Sequence, residues 1–410
     1  MKKFSSVVVS AVIAGMTVVT PMCHAEDNSY YAGGQLYDSS SGFETVYFDK
    51  TDFYANYSEN SYNYGTFLDE NNVQVYMEMM KLINPSVETV TVKLPNPIKF
   101  TVSTLDNSSM TDEDINIYRN ALFSNCRPGI DCALFDIPEL FWIDIEQMGV
   151  NISDYSVNRN IMQRNYTIEA NEITFTPAYY KNYGSLDGVM EYKQKLADTV
   201  ADFPVEGNTR YEQLKSIHDY ICSYTYYDIG SPFASSAVGA LVEPGAVCEA
   251  YAEGFKLICD SLDIPCVLVV GNFSDQSNEA HMWNYVQMED GKWYAVDLTW
   301  DDLDGDGGKE VKYQYFLKGA DTFLTAHTPS EELGFTSFTY PELAESAYVP
   351  ETAIVGDVNH DGKVNTADLV YCTKTVLAIH KPIYSCDVDN DGTTDAFDLV
   401  YLRKILLGLI

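Results

Sequence analysis

Two acidic loops near the end of the sequence constrain its fold more than any other feature, because both repeat one spacing of side-chain oxygens. Gly362 and Gly392 occupy position 6 of these loops, where a sharp turn lets the flanking oxygens converge on one hard cation. Position 7 contributes its backbone carbonyl. Each loop leads into an apolar helix, so the pair predicts two bound calcium ions. The candidate ligands at positions 1, 3, 5, 7, 9 and 12 are Asp357, Asn359, Asp361, Lys363, Asn365 and Asp368 in the first loop, and Asp387, Asp389, Asp391, Thr393, Asp395 and Asp398 in the second.

The duplicated loop-helix unit, residues 353–410, resembles a type I dockerin. Position 12 is Asp in both loops, as is usual in dockerins, whereas an EF-hand normally has Glu there. The resemblance implies a small all-α module that folds on calcium and binds a cohesin module of a bacterial cellulosome scaffoldin. It also implies recognition through positions 10 and 11, which are Thr366-Ala367 and Ala396-Phe397. Because these two pairs differ, a symmetric, two-way binding mode is not expected.

The composition and the charge exclude several classes of protein. With 410 residues, of which 46 % are hydrophobic, the chain is long enough for two or three domains with buried cores. Its formal charge of −35 and its pI near 4.2 repel phosphate backbones and anionic lipids. We therefore expect no nucleic-acid partner and no membrane partner.

The first 25 residues have the features of a secretory signal peptide. Lys2 and Lys3 precede an apolar run that extends from Val7 to Val19, and the segment ends in Cys23-His24-Ala25. We expect cleavage after Ala25 and a secreted, extracellular protein.

The eight cysteines that follow this segment permit disulfides without prescribing them. If one cysteine is a free nucleophile, the seven others cannot all pair. Cys126 and Cys132 bracket a short loop, and Cys372 and Cys386 lie where a disulfide would join the first dockerin helix to the second loop. Both pairings stay open from the sequence alone.

Hydrophobic periodicity organises the rest of the chain. Apolar and polar residues alternate from Val90 to Leu94 and again at Ile173 and Phe175, as in half-buried strands, and Asp112 opens a predicted helix. Further on, three amphipathic helices precede three strand-like segments, which is typical of an α+β core. The expected organisation is a signal peptide (1–25), an N-terminal mixed α/β region (26–190), a catalytic domain (191–345), a linker (346–352) and the dockerin (353–410).

Cys248, His281 and Asp297 form the strongest candidate for a catalytic group. Cys248 stands at the predicted start of the third helix, where unsatisfied backbone N–H groups favour a thiolate. A cysteine alone is more often a core residue, but an imidazole can take the thiol proton and a carboxylate can orient that imidazole. The three residue types together therefore indicate nucleophilic catalysis.

The turn between two predicted strands decides whether His281 and Asp297 can meet. Glu289-Asp290-Gly291 is predicted to be a three-residue hairpin loop with its glycine in the left-handed position. In that register Trp283 faces Asp297 and Thr299 faces His281, so that His281 and Asp297 are diagonal neighbours on one face. A two-residue loop would place them on opposite faces.

Three runs of sequence resemble the transglutaminase-like superfamily, namely AVCEAYAEGFKLICDSLDIPC, AHMWNY and GKWYAVDLTWDD, and the similarity covers residues 211–327. The family implies a papain-like core with Cys248 as nucleophile, His281 as general base and acid, and Asp297 as the residue that orients His281. It leaves the reaction open, since related domains include cross-linking enzymes, peptidases, amidases and inactive copies.

The leading hypothesis is a secreted, cellulosome-associated cysteine acyl-transfer enzyme that acts on peptide or isopeptide amides. The alternatives are a protein-crosslinking transglutaminase and a non-catalytic binding or spacer module. A polysaccharide-cleaving enzyme would need two carboxylates across a sugar cleft. Only the usual association of dockerins with such enzymes suggests this alternative.

Several further residues receive weaker assignments. An oxyanion hole would use the Cys248 backbone N–H and one aromatic donor, although such aromatics are more often core or cleft residues. The candidate donors are Tyr226, Tyr227 and Trp283.

The remaining polar residues are expected to have structural roles. His218 and Asp219 should form a structural pair, and His327 should pack near the domain end. Asp302, Asp304 and Asp306 should form an exposed acidic loop.

Overall fold

The computed structural model describes residues 62–105, 110–274, 280–302, 311–350, 355–359, 363–379, 386–389 and 393–410. The predicted signal peptide, the end of the predicted linker and the loop residues Asp304, Asp306, Asp361 and Asp391 lie outside these ranges. Among the described residues, no helix combines the length and the apolar character that crossing a bilayer requires.

A three-stranded antiparallel sheet with the order β1-β3-β2 forms the centre of the N-terminal region. Val92 of β1 and Ile152 of β2 both lie opposite Ile173 of β3, so the predicted alternating strands are confirmed. The predicted helix start at Asp112 is also confirmed, because Thr111 caps that helix in a capping box. The elements are α1 (Glu70–Met80), β1 (Val90–Val102), α2 (Asp112–Phe123), α3 (Arg127–Asp136), β2 (Gly149–Asn160) and β3 (Asn165–Thr176).

The three helices that the sequence predicts next are all present, and a short fourth helix lies between the last two. The first of them begins at Leu186, ahead of the predicted boundary at residue 190. The last begins at Cys248 and buries Tyr251, Phe255 and Ile258 on the predicted apolar face. The elements are α4 (Leu186–Ala201), α5 (Arg210–Tyr224), α6 (Ala237–Leu241) and α7 (Cys248–Ser261).

A second antiparallel sheet, with the order β6-β5-β4-β7, packs against α7. Asn284 of β5 donates from its side-chain amide to the carbonyl of Ala252 in α7 (2.9 Å), which fixes the helix on the sheet. The predicted meander is confirmed, and a later segment adds β7 at the far edge. The elements are β4 (Cys266–Phe273), β5 (Ala280–Gln287), β6 (Trp293–Val296), α8 (Leu298–Asp301), α9 (Ala320–Phe323), β7 (His327–Pro329), β8 (Glu332–Leu333) and β9 (Thr336–Ser337).

The hairpin between β5 and β6 has the predicted three-residue loop. Gly291 is left-handed, with φ at 75°, and the Met288 N–H donates to the carbonyl of Lys292 (3.0 Å). One detail of the prediction is wrong. Thr299 does not extend the strand, because Asp297 caps α8 by accepting the Trp300 N–H and turns the chain out of the sheet.

The hydrophobic core is continuous from the N-terminal region into the sheet β6-β5-β4-β7 and the helix α7 that packs on it. Tyr64 donates its hydroxyl to the Leu268 carbonyl in β4, and its ring packs edge-on against Phe338. Asp136 at the end of α3 accepts the N–H groups of Tyr64 and Gly65. The N-terminal region thus supports the back of the sheet that carries His281.

The dockerin region is helical and has a separate small core. Its helices are α10 (Thr366–Val376) and α11 (Ala396–Leu406), each opened by a capping box. Cys372 and Cys386 lie in this core as buried thiols, and Cys126 and Cys132 are buried in the N-terminal region. Among the described cysteines no disulfide forms, so neither pairing left open by the sequence is present.

We predict that Gly271→Ala destabilises the fold by about 1–3 kcal/mol, because an added methyl group overpacks the contact between β4 and β7. A Cβ at this position would lie 2.2 Å from the Thr328 carbonyl oxygen and 2.6 Å from the Trp283 ring. The matched control is Gly149→Ala, whose Cβ would meet nothing closer than Thr176 at 3.9 Å. Thermal unfolding should separate the two variants, and equal melting midpoints would contradict the packing argument.

Candidate active site and calcium loops

Cys248 is the first residue of α7 and is almost fully buried. The segment before it is fixed by backbone hydrogen bonds, since the Val247 N–H donates to Ala234 (2.8 Å) and the Ala246 N–H to Tyr226 (2.9 Å). The first turn of a helix has N–H groups without intrahelical partners, and its dipole is positive there. This placement favours the thiolate form of Cys248.

His281 and Asp297 meet as the hairpin register requires. His281 Nε2 lies 2.8 Å from Asp297 Oδ2, and both side chains are buried. A carboxylate only accepts hydrogen bonds, so Nε2 carries the proton of this bond. The other ring nitrogen, Nδ1, is left as the basic nitrogen of the neutral ring, which is the role a general base needs.

The Asp297 carboxylate receives three hydrogen bonds. Besides His281, it accepts from His327 Nε2 at 2.9 Å on Oδ2 and from the Trp300 N–H at 3.2 Å on Oδ1. Burial alone would raise the pKa of Asp297, but the charge and hydrogen bonds of the two histidines outweigh it and hold that pKa below its usual value. Asp297 is therefore an anion throughout the physiological range.

Aromatic rings enclose the histidine–aspartate pair. Trp300 stacks over His281 with ring centroids 5.8 Å apart, and Phe273 packs against the same ring at 4.7 Å. Trp283 contacts the edge of His327 at 5.0 Å. These rings exclude water from the hydrogen bonds to Asp297, which strengthens them.

His327 has a contact that the sequence did not predict. It was expected to pack near the domain end, and it is fully buried at the start of β7, but it also bonds to Asp297. Local sequence could not predict the contact with Asp297, because it depends on the pairing of β7 with β4. In that pairing His327 lies opposite Phe273, which is far away in the sequence. The same three groups, His281, Asp297 and His327, have ligand atoms within 4.8 Å of one another.

The other assigned residues have mixed outcomes. His218 does form a structural pair, with Asp301 (3.2 Å) and Asp219 (3.3 Å). Burial lowers the pKa of His218, but these hydrogen bonds and charges raise it above its usual value overall. Asp302 is not exposed as expected, since it is buried and accepts the hydroxyl of Tyr251.

The candidate oxyanion donors differ in access. Tyr226 and Tyr227 are partly exposed and lie beside the backbone that leads into Cys248, with Tyr227 bridged to Ala246. Trp283 is buried within the aromatic enclosure. The assignment of an oxyanion donor stays a prediction.

The position-12 carboxylates of both acidic loops are held by backbone N–H groups of their own loops. Asp398 accepts the N–H groups of Val388 and Asp395, both at 2.7 Å, and Asp368 accepts those of Asn359 (3.2 Å) and Asn365 (2.7 Å). In the second loop, carboxylate oxygens of Asp387, Asp389 and Asp398 lie within 4.8 Å of one another. An all-oxygen set of this kind suits calcium.

Two family models match the chain. Residues 197–298 match the transglutaminase-like superfamily, and residues 355–407 match the type I dockerin domain. Both resemblances seen in the sequence, and the α+β fold class, are confirmed. Type I dockerins typically bind calcium and have a cohesin as partner, which indicates an extracellular, cellulosome-associated protein.

Similarity to individual proteins is partial. The chain is 30 % identical over 122 residues to the human kyphoscoliosis peptidase and 29 % identical to the mouse protein, with 26 % of this chain and 18 % of each relative covered. It thus spans less than a fifth of these relatives. Among solved structures, one described as a TGase is 12 % identical with a TM-score of 0.25, covering 65 % of this chain and 61 % of that one. The periplasmic domain of TgpA from Pseudomonas aeruginosa is 11 % identical with a TM-score of 0.18, covering 54 % and 91 %.

We predict that Asp297→Asn lowers stability at neutral pH but not in strong acid. A carboxyl group whose pKa is lower in the folded state stabilises the fold above its unfolded pKa, and that stability is lost as the pH falls through the lower folded value. Asn offers only one acceptor oxygen, so its amide donor faces either the two histidines or the Trp300 N–H, which are donors themselves. The melting midpoints of the two proteins should differ fully at neutral pH. The difference should shrink as the pH falls below about 4, the ordinary pKa of an aspartate, and vanish only below the lower pKa of folded Asp297. A difference that does not change with pH would contradict the ion-pair account.

We predict that calcium removal unfolds the dockerin helices and leaves α7 and its sheet folded, because only the dockerin helices follow the calcium-binding loops. Asp398→Ala should lose about one equivalent of bound calcium, as should Asp368→Ala, while the exposed Lys374→Ala should bind like the parent. Calorimetric titration gives the stoichiometry, and far-UV circular dichroism follows the helices. Unchanged calcium binding in both aspartate variants would contradict the ligand assignment.

Proposed function

Because the chain combines a transglutaminase-like domain with a C-terminal type I dockerin, we propose that it is a secreted cysteine acyl-transfer enzyme attached to a scaffoldin cohesin. The observation that carries the proposal is the buried bond of 2.8 Å between His281 and Asp297, in a domain whose helix α7 begins with Cys248. Proposed substrates are peptide or isopeptide amides. The proposed organisation keeps a signal peptide (1–25), an N-terminal region (26–190), a catalytic domain (191–345), a linker (346–352) and the dockerin (353–410).

The proposed reaction has two halves. Nδ1 of His281 first takes the proton of the Cys248 thiol. The resulting thiolate forms a bond from Sγ to the amide carbonyl carbon, the carbon–nitrogen bond breaks, and His281 gives that Nδ1 proton to the departing amine. A thioester remains on Cys248. An incoming nucleophile then loses its proton to His281 and attacks the thioester, which releases the acyl product and restores the thiolate.

The incoming nucleophile decides between the two enzymatic alternatives. Water gives a peptidase or amidase, whereas a lysine or another primary amine gives a transglutaminase. We favour hydrolysis, because water is abundant outside the cell and no amine-acceptor site is marked in the sequence. The dockerin loops, with their proposed ligands, attach either enzyme to the scaffold.

We predict that Cys248→Ala abolishes both amide cleavage and amine incorporation, because it removes the proposed nucleophile. The measurement incubates the full-length protein with a peptide library and a labelled primary amine and sorts the products by mass. Cys126→Ala is the matched control, since Cys126 is an equally buried cysteine in the N-terminal region. It should keep the activity of the parent protein.

Each outcome of this experiment has a meaning. Cleaved peptides without label indicate hydrolysis, and labelled peptides indicate transamidation. Full activity in Cys248→Ala would overturn the proposed mechanism. No product from the parent protein, together with ordinary thiol reactivity of Cys248 toward iodoacetamide at low pH, would favour the non-catalytic spacer module instead.

A further inference from the structure

Asp297 is shared by two histidines, and only one of them belongs to the proposed triad. We propose that His327 is a positioning residue of the active site: its Nε2–H holds the Asp297 carboxylate in the orientation that presents His281 to Cys248. The inference rests on the proposed function, because it concerns how that catalytic group is assembled.

The protonation pattern follows from the hydrogen bonds. His281 Nε2 and His327 Nε2 lie 2.8 and 2.9 Å from the same atom, Asp297 Oδ2. Because a carboxylate supplies no proton, both nitrogens are donors. The remaining nitrogen of His327 points elsewhere, toward the Phe323 carbonyl at 3.4 Å. The Nε2 side of the His327 ring is thus bound to Asp297, and its Nδ1 side faces a backbone group that does not react.

His327 has no access to a substrate. Its side chain is fully buried, and its ring stacks on Phe323 with centroids 3.9 Å apart and planes at 15°. Trp300 covers it at 4.5 Å and Trp283 at 5.0 Å. A residue enclosed in this way acts through Asp297 and not on the reacting atoms.

The effect of His327 is to remove the freedom of the carboxylate. With His281 and the Trp300 N–H as its only donors, the Asp297 side chain would have one incompletely bonded oxygen in a dry site. The third donor satisfies it with a charge-assisted hydrogen bond. Small misplacements of a catalytic group cost up to about a hundredfold in rate, so a fixed carboxylate matters for turnover.

His327 lies in a different strand from the residues of the proposed triad. It begins β7, which pairs with β4 through Phe273. His281 lies in β5, and Asp297 directly follows β6. Phe323 of α9 supplies the stacking surface. The far edge of the sheet is thereby connected to the triad through one side chain.

The test compares His327→Gln with His327→Leu. The glutamine amide can place a donor where Nε2 stands, whereas leucine fills similar space without a donor. The readout is the rate at which iodoacetamide labels Cys248 at about pH 6, where an ordinary thiol is almost entirely protonated. We expect His327→Leu to be labelled about ten- to a hundredfold more slowly and His327→Gln within about threefold of the parent.

Two controls separate positioning from loss of stability. Phe100→Leu, a core substitution in β1, should lower the melting midpoint without slowing the labelling of Cys248. Once a substrate is known, His327→Leu should lower kcat and leave KM unchanged, because His327 does not touch substrate. Labelling of His327→Leu at the parental rate would overturn the proposal, and so would equally slow labelling of the glutamine and leucine variants at equal melting midpoints.

Nitrogen-15 spectra of the histidine side chains keep the inference testable even if the proposed function fails. The parent protein should show the proton on Nε2 of both His281 and His327, and His281 should lose this fixed tautomer in His327→Leu. If parental Cys248 reacts like an ordinary thiol, the proposed function is refuted. If His281 keeps its tautomer in His327→Leu, the positioning role of His327 is refuted.

Discussion

The transglutaminase-like core is arranged around one buried anion. Removing a carboxylate from water costs several kcal/mol unless it is paired and hydrogen-bonded. Asp297 is buried, and its three donors come from β5, β7 and the first turn of α8. These segments lie far apart in the sequence, so the sheet order β6-β5-β4-β7 is what brings the donors together. Misfolding of any one of them would leave a charge that the interior cannot tolerate.

Asp297 and Cys248, the proposed nucleophile, are positioned by different parts of the fold. Cys248 lies at the start of α7, whereas the pairing of β5 with β6 places His281 next to Asp297. The N-terminal region packs behind both: its core is continuous with that of the sheet, and Tyr64 reaches the β4 backbone. Support of this kind keeps the start of α7 and the sheet in fixed positions, and it gives the described residues before 190 a structural role.

Local sequence signals sufficed where the structure depends on local chemistry. The Gly291 turn fixed the hairpin register, and that register brought His281 and Asp297 together. Non-local pairings could not be read in the same way. His327 follows no motif of its own, and only the pairing of β7 with β4 turns it toward Asp297. Thr299 was misplaced because the capping preference of Asp297 overrode the strand pattern around it. The cysteine pairs stayed open because spacing alone does not fix the distance between two thiols.

The two parts of the chain are stabilised in different ways, and this difference fits a division of labour. Among the described residues of the dockerin, the fully buried hydrophobic side chains are Val358, Cys372, Cys386, Val388 and Leu402, with partly buried residues packed around them. A core of this size is small for an independent fold, so the proposed cation binding at the acidic loops would contribute to its stability and would make the proposed attachment depend on calcium. The core around Asp297 is large, and Asp297 is held by His281, His327 and the Trp300 N–H. None of these three groups belongs to the acidic loops, so the arrangement around Asp297 does not require calcium, whereas the proposed attachment does.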